Sequence, residues 1–236
     1  MMRFFGPFFL FTLFSVLPCR ADLTIVQTVE GVGPTAAMTI KIKGDKARIN
    51  VSPQLTTIID GKTGEMITLM NDKKTLIRVS AADLKAAAEM FGQETKNTGG
   101  AKPKLTSTGK KETISGHETE EYVCETTAFK ASYWVAPKYP DGAAILKQLQ
   151  SLKSEMWNPA SANMPDYREF PGLPIKTVVV MGSNQLTSTL TSVKQDSLSD
   201  AEFSVPKDFQ EKKASDISGL LDEGEEKPAP NSPPKP

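Results

Sequence analysis

The chain has 236 residues, with 28 Lys plus Arg set against 28 Asp plus Glu, and only 7% of its residues are aromatic. This balance offers no surplus of basic side chains to neutralise a phosphate backbone. The aromatics beyond residue 21 are too sparse for the stacking platforms that hold single strands, so nucleic-acid binding is not expected. A chain of this size buries roughly 70% of the surface its unfolded form exposes, so one domain needs no disulfide to hold it.

The chain opens with Met1, Met2 and Arg3, then an apolar run from Phe4 to Leu17, then Pro18-Cys19-Arg20-Ala21. This is the three-part layout of a secretory signal peptide over residues 1–21, with the cut expected after Ala21. The apolar run is broken by Gly6 and Pro7 and falls short of the ~20 residues a membrane-spanning helix needs. Cleavage would lower Lys plus Arg to 26 and leave Cys124 as the one cysteine, which rules out an internal disulfide. The expected location is therefore periplasmic or secreted. Lipidation at Cys19 is the less favoured alternative, because Pro18 precedes it and the small residues expected there are missing.

Strand signals dominate from residue 22. Met38, Ile40 and Ile42 alternate with polar residues, as do Ala47, Ile49 and Val51, and a Gly44-Asp45 turn sets Ile42 against Ala47 and Ile40 against Ile49. Leu55 to Asp60 supplies another strand. A second hairpin runs over Glu65 to Asn71 and Lys74 to Val79, pairing Leu69 with Leu76 on one face and Met66 and Thr68 with Val79 and Ile77 on the other. Both faces are apolar, which predicts a sheet covered on both sides, by a helix on one and by a loop or ligand on the other.

Ser80-Ala81-Ala82-Asp83 resembles a capping box before a helix whose Leu84, Ala87, Ala88 and Phe91 share a face. The polar segment from Thr95 to Lys104 reads as a loop. Strands follow over 105–114, 118–126 and 129–136, with a tight turn at Ser115-Gly116. Asp141 is placed to cap a second helix striped by Ile145, Leu146, Leu149, Leu152 and Met156. An apolar, proline-punctuated stretch from Trp157 to Pro174 comes next, then strands 175–181 and 185–195. Phe203, Val205, Pro206 and Phe209 form a closing flap. Residues 22–213 are read as one domain, and 214–236 as a short helix and a disordered Pro-rich tail.

Candidate chemistry is sparse. His117 is the only histidine and lies seven residues from Cys124, about 23 Å along an unbroken strand, too far for a Cys/His nucleophilic pair. The acidic cluster around His117, Glu118, Glu120 and Glu121 lacks the several His or Cys ligands that zinc requires. No nucleophile elbow or phosphate-cradling glycine loop is present, so no enzyme, cofactor or metal is expected. The apolar material is the better lead. Leu84, Phe91, Leu146, Leu149, Trp157 and Phe170 are candidate lining for a cleft holding a lipid or acyl chain. The bland alternative is an ordinary core between helices and sheet.

Three segments carry a family resemblance. Gly109 through His117, running on to Tyr122 and Tyr133-Trp134-Val135-Ala136, then Gly172 through Lys176, and the closing Phe203 through Phe209, together resemble the exported Domain of Unknown Function 4412 family. That family is similar to the LolA-like lipoprotein carriers. The resemblance implies an α+β fold: a strongly curved antiparallel sheet, a half barrel of about 11 strands, packed on two amphipathic helices. It transfers no catalytic residues. The expectation is a non-enzymatic binding protein for a lipid, lipoprotein acyl chain or envelope polypeptide, with peripheral membrane contact allowed and oligomeric state open. A structural or protein-interaction module with a self-filled core is the alternative.

Overall fold

The computed structural model describes residues 22–31, 33–86, 104–125, 130–151, 165 and 169–213. Twelve strands form one open curved sheet: β1 (Leu23–Gly31), β2 (Gly33–Lys43), β3 (Lys46–Asn50), β4 (Leu55–Asp60), β5 (Glu65–Met70), β6 (Thr75–Val79), β7 (Thr106–Ile114), β8 (His117–Glu125), β9 (Lys130–Ala136), β10 (Leu173–Met181), β11 (Asn184–Lys194) and β12 (Gln210–Lys212). Their spatial order is β12-β6-β5-β4-β3-β2-β1-β11-β10-β9-β8-β7. Every neighbouring pair is antiparallel except β12 with β6. Two runs of meandering strands, β1 to β6 and β7 to β11, are thus joined by β1 pairing with β11.

Alternation and turn length set the registers. Ile42 lies opposite Ala47 and Ile40 opposite Ile49 in β2–β3, and Leu69 lies opposite Leu76 and Thr68 opposite Ile77 in β5–β6, as the patterning predicts. Ser115 and Gly116 both hold positive φ, 49° and 80°, the geometry of a two-residue hairpin turn whose twist suits the flanking strands. Gly31, at φ 123°, is fixed for another reason. A Cβ there would sit 1.9 Å from the Gln185 carbonyl oxygen, so glycine is what lets the β1 end lie against β11.

One face of the sheet receives a helix, α2 (Gly142–Ser151), which follows a helical segment, α1, at 81–86. Ile145 and Leu146 of α2 are buried against Leu23, Ile25, Ile42, Ala47, Leu173 and Ile175. Asp141 holds the N-cap position at φ 54°, and its carbonyl accepts the Ile145 N–H at 3.0 Å. The α1 start is capped as expected: Ser80 Oγ accepts from the Asp83 N–H, and the Asp83 carboxylate accepts from the Ser80 N–H and hydroxyl.

The opposite face of β2–β6 is covered by the chain after β11. This strap starts where the Asp22 carboxylate accepts the Leu198 N–H at 2.8 Å, and it buries Leu198 and Phe203. Within it a 3-10 turn, Asp200–Phe203, carries its own Ser199/Glu202 capping box. Val205 and Phe209 then close over Ile58, Ile67, Leu69 and Leu76. The predicted closing flap is therefore a strap that crosses the outside of β2–β6 and ends as β12.

Some expectations need correction. The sheet has 12 strands, not about 11, because the strap delivers Gln210–Lys212 parallel to the free edge of β6, where Gln210 N–H bonds the Lys74 carbonyl at 2.9 Å. Those three residues are polar and exposed, so no apolar alternation marks them. Leu173 and Pro174 belong to β10 and not to the preceding loop: Leu173 is buried and lies opposite Ala136. Of the two expected amphipathic helices, the described residues include 81–86 of the first and Gly142–Ser151 of the second, and the rest of both lies outside them. Phe91, Leu152, Met156, Trp157 and the tail beyond residue 213 lie outside those residues.

Candidate functional site

The sheet face that receives α2 is covered unevenly. Beneath the helix, Leu23, Ile25, Ile42 and Ile175 are at most 2% exposed. Ile40, Ile49 and Met66 pack, half-buried, against this cluster, and Leu55, Met70 and Ile77 further along the same face are also half-buried, with Ile59 and Thr75 buried among them. The six half-buried residues run across β2 to β6. Ile40 faces Ile49, Leu55 faces Met70, and Thr68 beside Met70 faces Ile77. Thr57, Thr68 and the buried Thr75 are the threonines set among these residues.

The residues anticipated from the sequence separate into three groups. Leu146 and Phe170 are core, at 6% and 7% exposure. Phe170 meets Tyr133 edge to face at 5.0 Å between ring centroids, beside Cys124, Ala131 and Val135. Leu149 packs, partly buried, on the rim of the α2 cluster, and Leu84 is half-buried in α1. Phe91 and Trp157 lie outside the described residues. Sequence reasoning selected helix and loop residues, whereas the half-buried apolar residues named above belong to strands. The signal for it is the second apolar face of the β5–β6 hairpin, which exceeds what α2 covers.

Electrostatics give no reactive centre among the described residues. Cys124 is 1% exposed, and burial pushes its thiol pKa up, with the Glu169 charge adding to the effect. His117 begins β8 and leans on Tyr139, ring centroids 4.7 Å apart, at the opposite end of the strand from Cys124. Burial also raises the Tyr139 and Tyr122 hydroxyls, the latter with help from Glu120. Trp134 lies on the other side of β9 from Tyr133, with the Lys176 and Lys110 ammonium groups 4.8 and 5.8 Å from its ring. Among the described residues no three His, Cys, Asp or Glu side chains converge as metal ligands would.

The chain matches the family described as Domain of unknown function (DUF4412) over residues 23–209, and it belongs to that family. No curated protein matches it. Among solved structures it is similar to PNGF-II, with 15% identity, 85% of this chain and 32% of that chain covered and a TM-score of 0.42. It is also similar to the Mycobacterium tuberculosis lipoprotein LppX, with 11% identity, 75% and 88% covered and a TM-score of 0.39. The Pseudomonas aeruginosa MucA/MucB complex is a third, with 10% identity, 81% and 58% covered and a TM-score of 0.41. The chain spans about a third of the length of the PNGF-II chain it matches.

Proposed function

We propose that this member of the DUF4412 family is an exported, non-enzymatic binding protein that holds an apolar chain, such as a lipid acyl tail or the acyl group of a lipoprotein, against the α2-side face of β2–β6. One observation carries the reading. The strap seals the outer face of these strands, with Leu69 at 0% and Leu76 at 3% exposure, while Met66, Met70 and Ile77 on the inner face of the same hairpin stay half-buried. Covering them with an acyl chain would contribute about 0.8 kcal/mol per buried methylene, without dedicated polar anchors. No step of chemistry is assigned to any side chain.

The test is purification from the cell envelope without detergent, followed by mass spectrometry for bound lipid and by uptake of a fluorescent fatty acid by the lipid-stripped protein. Uptake is expected, and Met70→Asp with Ile77→Asp should abolish it. A protein that carries no lipid and takes up none would overturn the reading. The result would then favour a structural or interaction module with a self-filled core, which draws support from the burial of Leu146 and Phe170 within the fold.

A further inference from the structure

Trp134 stands on the strap side of the sheet, but in β9, four positions beyond β2 in the strand order. Its neighbours fix the side. Ile175 is buried in the α2 cluster, so Lys176, the next residue of β10 and the cross-strand partner of Trp134, looks out from the opposite face. Trp134 is 8% exposed, and its indole Nε1–H is buried without an acceptor among the described residues. Such a donor costs its full desolvation until something accepts from it.

Two ammonium groups are held at the same ring, Lys176 Nζ at 4.8 Å and Lys110 Nζ at 5.8 Å from its centroid. Neither forms an ion pair among the described residues. An indole N–H and an ammonium donate only. All three groups therefore lack the same thing, an acceptor that carries negative charge.

The backbone brings them together through two irregularities. The β9–β10 register shifts between Pro174 and Lys176, which sets Lys176 opposite Trp134. The β7–β8 register shifts between Ser107 and Lys111, around Gly109 at φ 73°, whose N–H donates to Ser107 Oγ at 3.0 Å. A bulge of this kind re-aims a side chain, and here it carries Lys110 across β8 to the Trp134 ring. Glu121, opposite Trp134 on β8, is engaged elsewhere: the Thr108 hydroxyl donates to its Oε2 at 3.1 Å, and it pairs with neither lysine.

We propose that Trp134, Lys110 and Lys176 form a binding site for a phosphate group, with the indole N–H and both ammonium groups donating to its oxygens. Phosphate suits the donors better than carboxylate does. A phosphate monoester carries close to two negative charges and three terminal oxygens, whereas a carboxylate balances only one ammonium. An oxygen about 2.9 Å from Nε1 lies at the edge of the ring, where flexible lysine side chains held over the ring can close on it. Lys110 is exposed and Lys176 half-buried, so both can swing aside to admit the group. The site lies across the sheet from the patch proposed to hold an acyl chain and shares no residue with it.

Titration of the isotope-labelled full chain with glycerol phosphate, read at the Trp134 indole N–H resonance, tests the proposal. Trp157→Phe assigns that resonance, because the chain has two tryptophans. A saturating shift is expected, with none from chloride at equal ionic strength. Lys110→Met and Lys176→Met keep apolar stems over the ring and should each weaken binding about tenfold. Glu121→Gln removes a negative charge beside the ring and should tighten binding about threefold. Lys62→Met, in the distant β4–β5 loop, should change nothing. Dihexanoyl phosphatidic acid distinguishes the source of the phosphate: tighter binding than glycerol phosphate assigns a lipid headgroup, and equal binding a soluble ester. Absence of a shift would overturn the proposal and leave a buried water as the partner of the indole. A shift that both lysine variants retain in full, or an equal response to acetate, would overturn it as well. Met70→Asp should leave the titration unchanged, and the lysine variants should leave fatty-acid uptake unchanged, so the two sites fail separately.

Discussion

The two faces of the β4–β6 region are built from the same strands and are covered to different extents. On the outer face Ile58, Ile67, Leu69 and Leu76 are at most 8% exposed beneath Val205 and Phe209 of the strap. On the inner face Ile59 and Thr75 are buried, at 1% and 3% exposure, while Leu55, Met66, Met70 and Ile77 are half-buried. Composition does not explain the difference, because both faces are apolar. Among the described residues coverage does: the strap crosses the outside of these strands, while the α2 cluster is built mainly from β1, β2, β3 and β10 and reaches this region only at Ile59 and Met66. Apolar character marks a surface that needs a partner, and topology decides whether the chain itself supplies one.

Neighbouring residues of one strand give the sharpest test of that contrast. Leu69 points under the strap and Met70 points to the inner face. Leu69→Ala should cost about 3 kcal/mol, within the range for truncating a fully buried leucine, and Met70→Ala about 1 kcal/mol or less. Urea denaturation of the two variants measures this directly. Equal losses would mean that the inner face is packed as tightly as the outer one and would remove the physical basis for a ligand there.

A smaller effect is expected from the strap itself. The partly buried Phe209 ring packs on the Leu69 and Leu76 cluster and carries the Lys74 ammonium 5.3 Å from its centroid. Phe209→Ala should cost about 2 kcal/mol, below the full-burial value for phenylalanine. The loss should be local, with amide hydrogen exchange accelerated in β5, β6 and β12 and unchanged in α2. Acceleration in α2 as well would show that the two faces are one cooperative unit.

The legibility of this fold in its sequence follows the same division. Hairpins β2–β3 and β5–β6 were readable to the residue because a short turn and strict alternation leave one register that aligns the apolar faces. The pairing of β1 with β11 was not, since it joins residues more than 150 positions apart and no local pattern encodes it. β12 is three polar residues held by strap geometry. The aromatic residues of the strap announced a cover but not which face they would cover. For the candidate site, Leu146 stood out by amphipathic spacing and Phe170 by its place in an apolar loop, yet both signals select residues the fold buries, whereas a binding patch is what a fold leaves partly open.

Acid provides the smallest test of the comparison, because the polar latches belong to the strap alone. Glu202 is held down from the ordinary carboxylate range by its hydrogen bond from Lys41, with the Lys41 and Arg48 charges assisting. Asp200 is lowered by its bond from Lys43, and Asp208 by its bond from Lys74. A carboxyl whose folded pKa lies below its unfolded value stabilises the fold above the unfolded pKa, near 4, and loses that contribution as pH falls through the folded value. Lys43, raised by Asp200, has the opposite sign: its contribution is present below its unfolded value and is lost as pH rises through the folded one, far from the acid window. The urea midpoint should therefore decline as pH drops from about 5 to about 3, and Glu202→Gln should flatten that decline by lowering the midpoint slightly at neutral pH and converging with the parent chain in acid. Exchange in β5 and β6 should respond within this window before exchange in α2 does. An unchanged slope in Glu202→Gln would show that apolar burial by Phe203, Val205 and Phe209 alone holds the strap, and that the ion pairs only fix where along β2 and β3 it lies.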